Sequence, residues 1–191
     1  MSFCLIILAG GNSHRFGSNI GKPYQKIAGK SLIEINVIKA RKFKQIKKII
    51  LVYNKKDLKL VKSLKLEKVK LIAGGKNRQQ STFNALKYLV HHKGSPKVLI
   101  HDVARPNFST KLLGSILKIM GKSRAVVPKI KIQDAVKQVI DTSKEEYILG
   151  KNRNNLFLTQ TPQLFEYKTL FKAYLHNVKK LDNFTDDAQI F

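Results

Sequence analysis

Residues 3–11 read FCLIILAGG, an uninterrupted apolar run that ends in two glycines. A short apolar run bounded by glycine is typical of a strand buried in a sheet. The run is short for a secretory signal and no basic segment precedes it, so we interpret it as the first strand of the fold. Glycines directly after a strand let the backbone approach a phosphate closely, with exposed N–H groups around it. The stretch therefore predicts a buried strand that leads into an anion-binding loop.

Short apolar runs and amphipathic segments of helix length alternate along most of the chain. The predicted strands are Phe3–Leu8, Lys48–Tyr53, Val69–Ala73, Val98–His101 and Ala125–Pro128. The predicted helices are Ser31–Arg41, Asp57–Leu64, Gln80–His91, Thr110–Lys122 and Phe165–His176, the third with Phe83, Leu86 and Val90 at helical spacing. This alternation predicts an α/β fold, a doubly wound, mostly parallel sheet covered on both faces by helices. Ligands of such folds bind beyond the carboxyl ends of the strands.

One stretch, Lys129–Asn155, departs from the alternation. Its apolar residues recur only weakly before the stretch turns polar. It predicts an excursion such as a β-arm, not another strand–helix unit. Because the chain has no internal repeat, low-complexity tract or linker, we expect residues 1–191 to form a single domain that includes this arm.

Cysteine and apolar content restrict the class of protein. Cys4 is the only cysteine among 191 residues, which excludes a disulfide framework and a Cys-cluster zinc site. Its place in the first apolar run predicts a buried strand residue. A single cysteine with no partner for a disulfide fits a reducing compartment. No window approaches the ~20 apolar residues that a membrane span needs. We therefore expect a cytoplasmic protein.

The net charge is strongly positive. Lys and Arg number 37 against 12 Asp and Glu, which gives a formal charge of +25. Such a balance suggests an anionic partner: nucleic acid, anionic lipid or phosphorylated metabolites. However, only six of the 37 cations are arginines, and the lysines are spread along the whole chain. A nucleic-acid binder more often concentrates its cations and mixes in arginine, so a compositional bias toward lysine explains the charge more simply.

The loop after the first strand carries two cations, Arg15 and Lys22. Neither the dinucleotide fingerprint nor a Walker A motif is present, because Tyr24 stands where a Walker A motif requires glycine. The later Gly29-Lys30-Ser31 predicts instead a turn and an N-cap for the next helix. Solvated loop charge is the simplest reading of Lys22, whereas Arg15 is notable because arginine is scarce.

A second glycine turn follows the third strand, in the segment Gly74–Ser81. The simplest interpretation is that Ser81 or Asn77 caps the next helix and that Arg78 is solvated. The alternative is that this turn, like the first, approaches a phosphate. The sequence leaves both open at this point.

The fourth strand ends in His101-Asp102, followed shortly by Arg105. A carboxylate at the end of a central strand, near phosphate loops, is where a Mg²⁺ ligand is expected. We interpret His101 as a hydrogen-bonded core residue, since no His/Cys set has metal-ligand spacing. Near the end of the chain, Thr185 precedes two aspartates and is also a good helix N-cap.

Four of the six arginines lie in these special segments. They are Arg15, Arg78, Arg105 and Arg153. In so lysine-rich a chain, arginine is expected where the paired N–H donors of its planar guanidinium cannot be replaced by lysine. These positions therefore indicate recognition of phosphate or carboxylate groups.

Taken in order, these segments resemble the 2-C-methyl-D-erythritol 4-phosphate cytidylyltransferases of the non-mevalonate isoprenoid pathway. The motifs are Leu8–Gly11 with Arg15 and Lys22, Gly74–Ser81, His101–Pro106, Gln160–Gln163 and Thr185–Ala188. The resemblance covers nearly the whole chain. The related ribitol-5-phosphate cytidylyltransferases are also similar, but the segments around Arg78 and Asp102 look closer to the isoprenoid branch.

The resemblance implies a Rossmann-like fold of the nucleotide-diphospho-sugar transferase type, with Mg²⁺ as cofactor and CTP and a sugar-alcohol phosphate as substrates. It implies CTP-binding residues, which are Ala9, Gly10, Gly11, Gly75 and Ser81. It implies that Arg15 and Lys22 stabilise the transition state and that Asp102 lies near the metal and the substrate. It implies residues that position the second substrate, which are Asp102, Arg105, Arg153, Thr161 and Thr185. It further implies a homodimer in which residues 129–155 form the dimerisation arm and Arg153 reaches the neighbouring site, with no specific nucleic acid and no membrane as partner.

The sequence also departs from the family pattern. Ser13 replaces the second loop glycine, Pro23 follows Lys22 where the family's proline precedes its lysine, and Ala135 replaces a threonine that contacts substrate. The family continues beyond the position of Phe191 with another strand and helix and a substrate-contacting lysine. We therefore expect a C-terminally truncated form that is at best weakly active. An inactive homologue that still dimerises and a basic nucleic-acid-binding module are the alternatives.

Overall fold

The computed structural model describes residues 2–11, 20–91, 95–119, 121, 123–141, 146–147 and 152–191. Its centre is a six-stranded sheet in the order β5-β4-β1-β6-β12-β7. The strands are β1 (Phe3–Ala9), β4 (Ile46–Tyr53), β5 (Val69–Ala73), β6 (Lys97–Asp102), β7 (Ala125–Val126) and β12 (Gln163–Glu166). Neighbours among β5, β4, β1 and β6 are parallel, and β12 runs antiparallel to both β6 and β7. The predicted mostly parallel α/β sheet is confirmed.

Within the described residues, six α-helices cover the two faces of the sheet. They are α1 (Leu32–Arg41), α2 (Leu58–Ser63), α3 (Arg78–Val90), α4 (Thr110–Ile119), α5 (Tyr167–His176) and α6 (Asp187–Ile190). Along β1, side chains alternate between two cores: Leu5 and Ile7 pack with α1 and α4, while Cys4 and Ile6 pack with α3 and α5. All seven residues of β1 are buried, which explains why the strand is continuously apolar. Among the described residues, no helix has the length and apolar content needed to cross a membrane.

Burial changes the ionisation of the one thiol. Cys4 is fully buried, as predicted, and desolvation raises the pKa of its thiol to about 12. A thiol with so high a pKa stays protonated and inert, so Cys4 is a core residue.

Two details of the helix predictions are wrong. Phe165 was expected to begin a helix, but it lies on β12, and α5 begins at Tyr167. The cause is long-range: Phe165 pairs with Val98 of β6 and is fully buried. On α3, Val90 is half exposed, and Leu89 joins Phe83 in the core instead.

The turn and N-cap predicted at Gly29-Lys30-Ser31 are confirmed. Ala28 and Gly29 have φ of +48° and +78°, and they connect the short strands β2 (Lys26–Ile27) and β3 (Lys30–Ser31). The Glu34 N–H donates to the Ser31 hydroxyl at 3.2 Å, and the Ser31 N–H donates to the Glu34 carboxylate at 2.8 Å. Hydrogen bonds from Ser31 lower the pKa of Glu34. This reciprocal capping box fixes where α1 begins.

Besides the β2–β3 pair, two strand pairs of the described residues lie outside the central sheet, in and beside the predicted arm. β8 (Lys129–Lys131) pairs with β11 (Phe157–Thr159), and β9 (Val139–Asp141) pairs with β10 (Glu146–Tyr147), both antiparallel. Every residue of β8 and β11 is exposed. The arm is therefore a β excursion, as expected, and whether it joins two subunits stays a prediction.

Candidate functional site

A cavity of about 790 Å³ lies where β1, β4, β5 and β6 end. Five residues proposed from the sequence line it: Gly10, Gly11, Gly75, Ser81 and Asp102. They come from three separate segments, after β1, after β5 and at the end of β6, which meet because the carboxyl ends of parallel strands share one edge of the sheet. The edge that the topology predicts is therefore the edge that carries the cavity.

One wall of this cavity is bare backbone. A Cβ atom on Gly75 would lie 2.6 Å from Cβ of Gln80 and 3.0 Å from its carbonyl carbon, so there is no room for a side chain. The Gly75 N–H donates to the Ser81 hydroxyl at 3.0 Å, and that hydroxyl donates to the Asn77 carbonyl at 2.8 Å. The cap of α3 is Asn77, whose side-chain oxygen accepts from the Gln80 N–H at 2.7 Å. Ser81 is thus free of the capping role and instead braces the glycine turn.

The loop after β1 lies directly beside this turn, since a Cβ atom on Gly10 would be 3.5 Å from the Ser81 hydroxyl oxygen and 3.7 Å from Cα of Gly74. Gly10 and Gly11 line the cavity, whereas Ala9 is buried beneath them in the core. The Gly10 carbonyl accepts from the Asn54 amide at 3.4 Å, which links this loop to the end of β4. Arg15, the cation predicted for this loop, lies outside the described residues.

Sequence reasoning missed several residues that line the larger cavity, most of them in the segment that follows β4. The lining residues it did not assign include Asn54, Lys55, Lys56, Lys76 and Asn84. Position was the available signal, because the residues after β4 must reach the same edge of the sheet as the glycine turns. Among so many lysines, residue type alone could not single out these three.

At the floor of the cavity, the Asp102 carboxylate lies between two guanidinium groups. Its Oδ1 accepts from Arg78 Nε at 3.1 Å, and its Oδ2 is 3.5 Å from Arg105 Nε. Arg78 also contacts Asp187, so the interpretation of Arg78 as a solvated side chain is wrong. Electrostatics explains this placement, since a half-buried carboxylate is stabilised by paired cations.

The donor set at Asp102 bears on Mg²⁺. Among the cavity-lining residues that the structure describes, Asp102 is the only carboxylate, and the described residues contain no cluster of three or more His, Cys, Asp or Glu. One carboxylate beside a glycine turn would fit a Mg²⁺ ion held mainly by phosphate oxygens of a ligand. It does not fit an ion held by protein ligands alone.

His101 is a core residue, as predicted. Nε2 donates to the Arg105 carbonyl at 3.0 Å, which leaves Nδ1 to accept from the Thr161 hydroxyl at 2.9 Å. Burial lowers the pKa of His101 to about 4. The ring is therefore neutral at pH 7 and holds Thr161 beside Asp102.

A second, smaller cavity of about 400 Å³ adjoins the end of β6. It is lined by two residues proposed for the second substrate, Arg105 and Thr161, and also by Lys129 and Gln160. Arg105 donates to the Gln160 side chain. Two cations and a hydroxyl give this cavity the chemistry to hold a phosphorylated polyol.

The remaining predicted residues do not line either cavity. Lys22 begins a short 3-10 turn (Lys22–Tyr24), and Arg153 donates to the Gln133 carbonyl within the arm. Thr185 is not the N-cap of α6, because Asp186 accepts from the Gln189 N–H at 3.0 Å in that role. The Thr185 hydroxyl bonds the Gln189 side chain instead. Asp186 occupies the capping position because it directly precedes α6, whereas Thr185 lies one residue further from the helix.

The doubly wound sheet, with two glycine turns and a clamped carboxylate on one cavity, defines a nucleotide-binding α/β domain of the nucleotidyltransferase type. The chain belongs to the 2-C-methyl-D-erythritol 4-phosphate cytidylyltransferase family, whose sequence model matches residues 3–191. The family is one of nucleotidyltransferase enzymes, so the resemblance stated from the motifs is confirmed. Neither the ribitol branch nor a nucleic-acid-binding module is favoured by these matches.

Individual relatives agree. The chain is 43% identical to the bifunctional enzyme IspD/IspF of Pelagibacter ubique, covering all of this chain and 49% of that protein. It is 36% identical to the 2-C-methyl-D-erythritol 4-phosphate cytidylyltransferase of Dictyoglomus thermophilum, covering 97% of this chain and 80% of that one. The 4-diphosphocytidyl-2C-methyl-D-erythritol synthase of Anaerococcus prevotii superposes with a TM-score of 0.81 at 30% identity, covering 100% and 81%. The chain thus spans about half the length of the bifunctional relative and about four fifths of the others.

Proposed function

We propose that this chain transfers a cytidylyl group from CTP to 2-C-methyl-D-erythritol 4-phosphate. An oxygen of the substrate phosphate forms a bond to the α-phosphorus of CTP, the bond to the leaving oxygen breaks, and pyrophosphate departs. The observation that carries the proposal is the bare backbone wall at Gly75, braced by Ser81, in a chain of this family. Relatives named for this reaction supply the choice of substrates.

The larger cavity would hold CTP. Gly10, Gly11 and Gly75 would present backbone to the nucleotide, with Ala9 supporting the first loop from below and Ser81 fixing the second turn. Lys55, Lys56 and Lys76 on the same lining would attract the triphosphate. We expect CTP to be preferred over other nucleoside triphosphates.

The reaction needs no general base. A phosphomonoester is largely dianionic at neutral pH, because its second pKa is about 6. The site must instead supply positive charge where negative charge develops, and Arg15 and Lys22 are proposed to do so. Mg²⁺, with Asp102 as its protein ligand, would supply further neutralisation of the triphosphate.

The smaller cavity would hold the polyol phosphate. Arg105 and Thr161 line it, and Asp102 lies between the two cavities. Arg153 and Thr185 line neither cavity of one chain, so we propose that Arg153 acts in the site of a partner in a homodimer. The single buried thiol is consistent with a reducing cytoplasm as the place of the reaction.

Pyrophosphate release tests the proposal directly. The chain is incubated with CTP, UTP or ATP, and with either methylerythritol phosphate or ribitol 5-phosphate. We expect release with CTP and methylerythritol phosphate. Turnover of ribitol 5-phosphate alone would assign the chain to the other branch, and no release with any pair would refute the proposal.

A glycine pair provides a matched control. Gly75→Ala places a methyl group against Gln80 and is expected to raise the KM for CTP by roughly tenfold or more, because the turn must move. Gly114→Ala adds the same methyl on α4, where nothing lies within 4 Å, and should leave the KM unchanged. Equal effects of the two substitutions would argue against the glycine turn as the nucleotide site.

A further inference from the structure

The start of α3 is fastened to the C-terminal segment by three consecutive residues. Asn77 donates to the Asp182 carboxylate, Arg78 pairs with Asp187, and the Gln79 amide donates to the Phe184 carbonyl at 2.6 Å. The same start of α3 lines the larger cavity. The wall of the site and the last helix therefore form one connected unit.

Arg78 bridges two carboxylates in this unit. Its Nε donates to Asp102 at 3.1 Å, and its Nη1 donates to Asp187 at 2.6 Å. Burial by itself would lower the pKa of Arg78, but the charges of Asp187 and Asp102 outweigh it and raise the pKa. Two carboxylates in different directions need a planar fork, which arginine supplies and lysine does not.

Asp187 is the buried anchor of the bridge. Its side chain is fully buried, and its second oxygen accepts from the Tyr174 hydroxyl at 2.5 Å. Tyr174 in turn stacks on Phe83 of α3, with ring centroids 5.8 Å apart. These contacts fix the orientation of the Asp187 carboxylate. The carboxylate in turn fixes the Arg78 guanidinium, which contacts Asp102.

We propose that Arg78 and Asp187 are positioning residues, which act through Asp102 by fixing its carboxylate at the junction of the two cavities. The inference rests on the proposed function, because Asp102 is assigned there to the metal and the second substrate. Neither residue needs to touch a reacting atom. The other cation beside Asp102 among the described residues is Arg105, at the longer distance of 3.5 Å.

The first test separates this role from a general structural one. Arg78→Lys keeps the charge but loses the fork, and Asp187→Asn keeps an acceptor for Tyr174 but loses the anchoring charge. For each, we expect kcat/KM for the polyol phosphate to fall by about 10- to 100-fold, with most of the loss in kcat and not in the KM for CTP. Arg124→Lys is the control, because Arg124 pairs with Glu166 at the exposed surface and lines neither cavity.

The decisive test is a double-mutant cycle with Asp102→Asn. If Arg78 acts through Asp102, adding Arg78→Lys to Asp102→Asn lowers kcat/KM by less than about twofold further. Losses that multiply would overturn the inference, as would an equal rise in the KM for CTP. Should Arg78→Lys not fold, Asp187→Asn enters the same cycle. An inactive wild-type chain would refute the proposed function and this inference together, whereas an active wild type with multiplying losses would refute the inference alone.

Discussion

The carboxyl edge of the sheet and the arm are built in opposite ways. At the edge, β1 is buried along its whole length and β6 along all but its two end residues, and both lead into residues that line the larger cavity. In the arm lies β8, which pairs with β11 just beyond the arm; each has three residues, and Ile130, Phe157 and Leu158 are 53%, 50% and 53% exposed. Isolated two-stranded pairs are marginally stable in water. The strand ends of one chain therefore meet at one cavity, whereas the arm and β11 present apolar side chains that a second surface would cover.

The largest expected effect contrasts a leucine from each region. Leu99→Ala in β6 removes a fully buried side chain and is expected to lower the free energy of unfolding by about 2–5 kcal/mol. Leu158→Ala in β11 removes an exposed one and should cost less than about 0.5 kcal/mol in a monomer. Urea unfolding of both variants measures the difference. A loss of several kcal/mol from Leu158→Ala that grows with protein concentration would show that the arm is covered in solution.

The second prediction asks whether the two regions act in the same subunit. Lys22→Ala, in the segment between β1 and α1, should lower kcat far more than it raises KM, with a loss of about 2–4 kcal/mol in transition-state stabilisation, and Arg15→Ala should behave alike. Arg153→Ala, in the arm, should also inactivate. If Arg153 serves the partner's site, mixing the Lys22→Ala and Arg153→Ala chains rebuilds one intact site in each mixed dimer. Random mixing then restores about a quarter of wild-type activity.

The mixed dimers are formed by unfolding and refolding the two variant chains together. The control is the Arg153→Ala chain alone, unfolded and refolded in the same way. Sedimentation establishes the dimer independently of turnover. A monomer at micromolar concentration, or no gain of activity on mixing, would show that Arg153 does not act across an interface.

The third prediction concerns pH and the buried edge. His101 has a pKa of about 4 in the folded chain and an ordinary value of 6.5. Between these values the unfolded chain binds a proton that the folded chain does not, so the free energy of unfolding should fall as pH drops from about 6.5 to about 4, by up to roughly 3 kcal/mol. Above pH 6.5 this contribution is complete. His101→Gln should remove that part of the slope when unfolding is followed across the range, and an unchanged slope would refute the assignment.

Much of the edge could be predicted because its signals are local. Glycines after β1 and β5 and an acid at the end of β6 each mark a strand end, and a parallel sheet brings strand ends together. Phe165 and Asp187 could not be placed in this way. Phe165 is assigned to β12 only by pairing with strands far away in sequence, and Asp187 reads as a helix-start residue until Arg78, 109 residues earlier, is seen beside it. Pairing across long sequence separations leaves no local pattern.

The smallest effect compares one helix cap from each region. Ser31 caps α1 in a buried capping box, whereas Asn152 caps the short 3-10 turn Arg153–Asn155 in the exposed arm, where its side chain accepts from the Asn154 N–H at 3.0 Å. Ser31→Ala should lower the free energy of unfolding by about 1 kcal/mol, because it leaves the Glu34 N–H without its partner. Asn152→Ala should cost only a few tenths of a kcal/mol, since water replaces the lost acceptor at an exposed turn. Urea titration at pH 7 resolves these values. If Asn152→Ala costs as much as Ser31→Ala, the turn that carries Arg153 is as firmly built as the body of the fold, and the contrast between the two regions fails at that point.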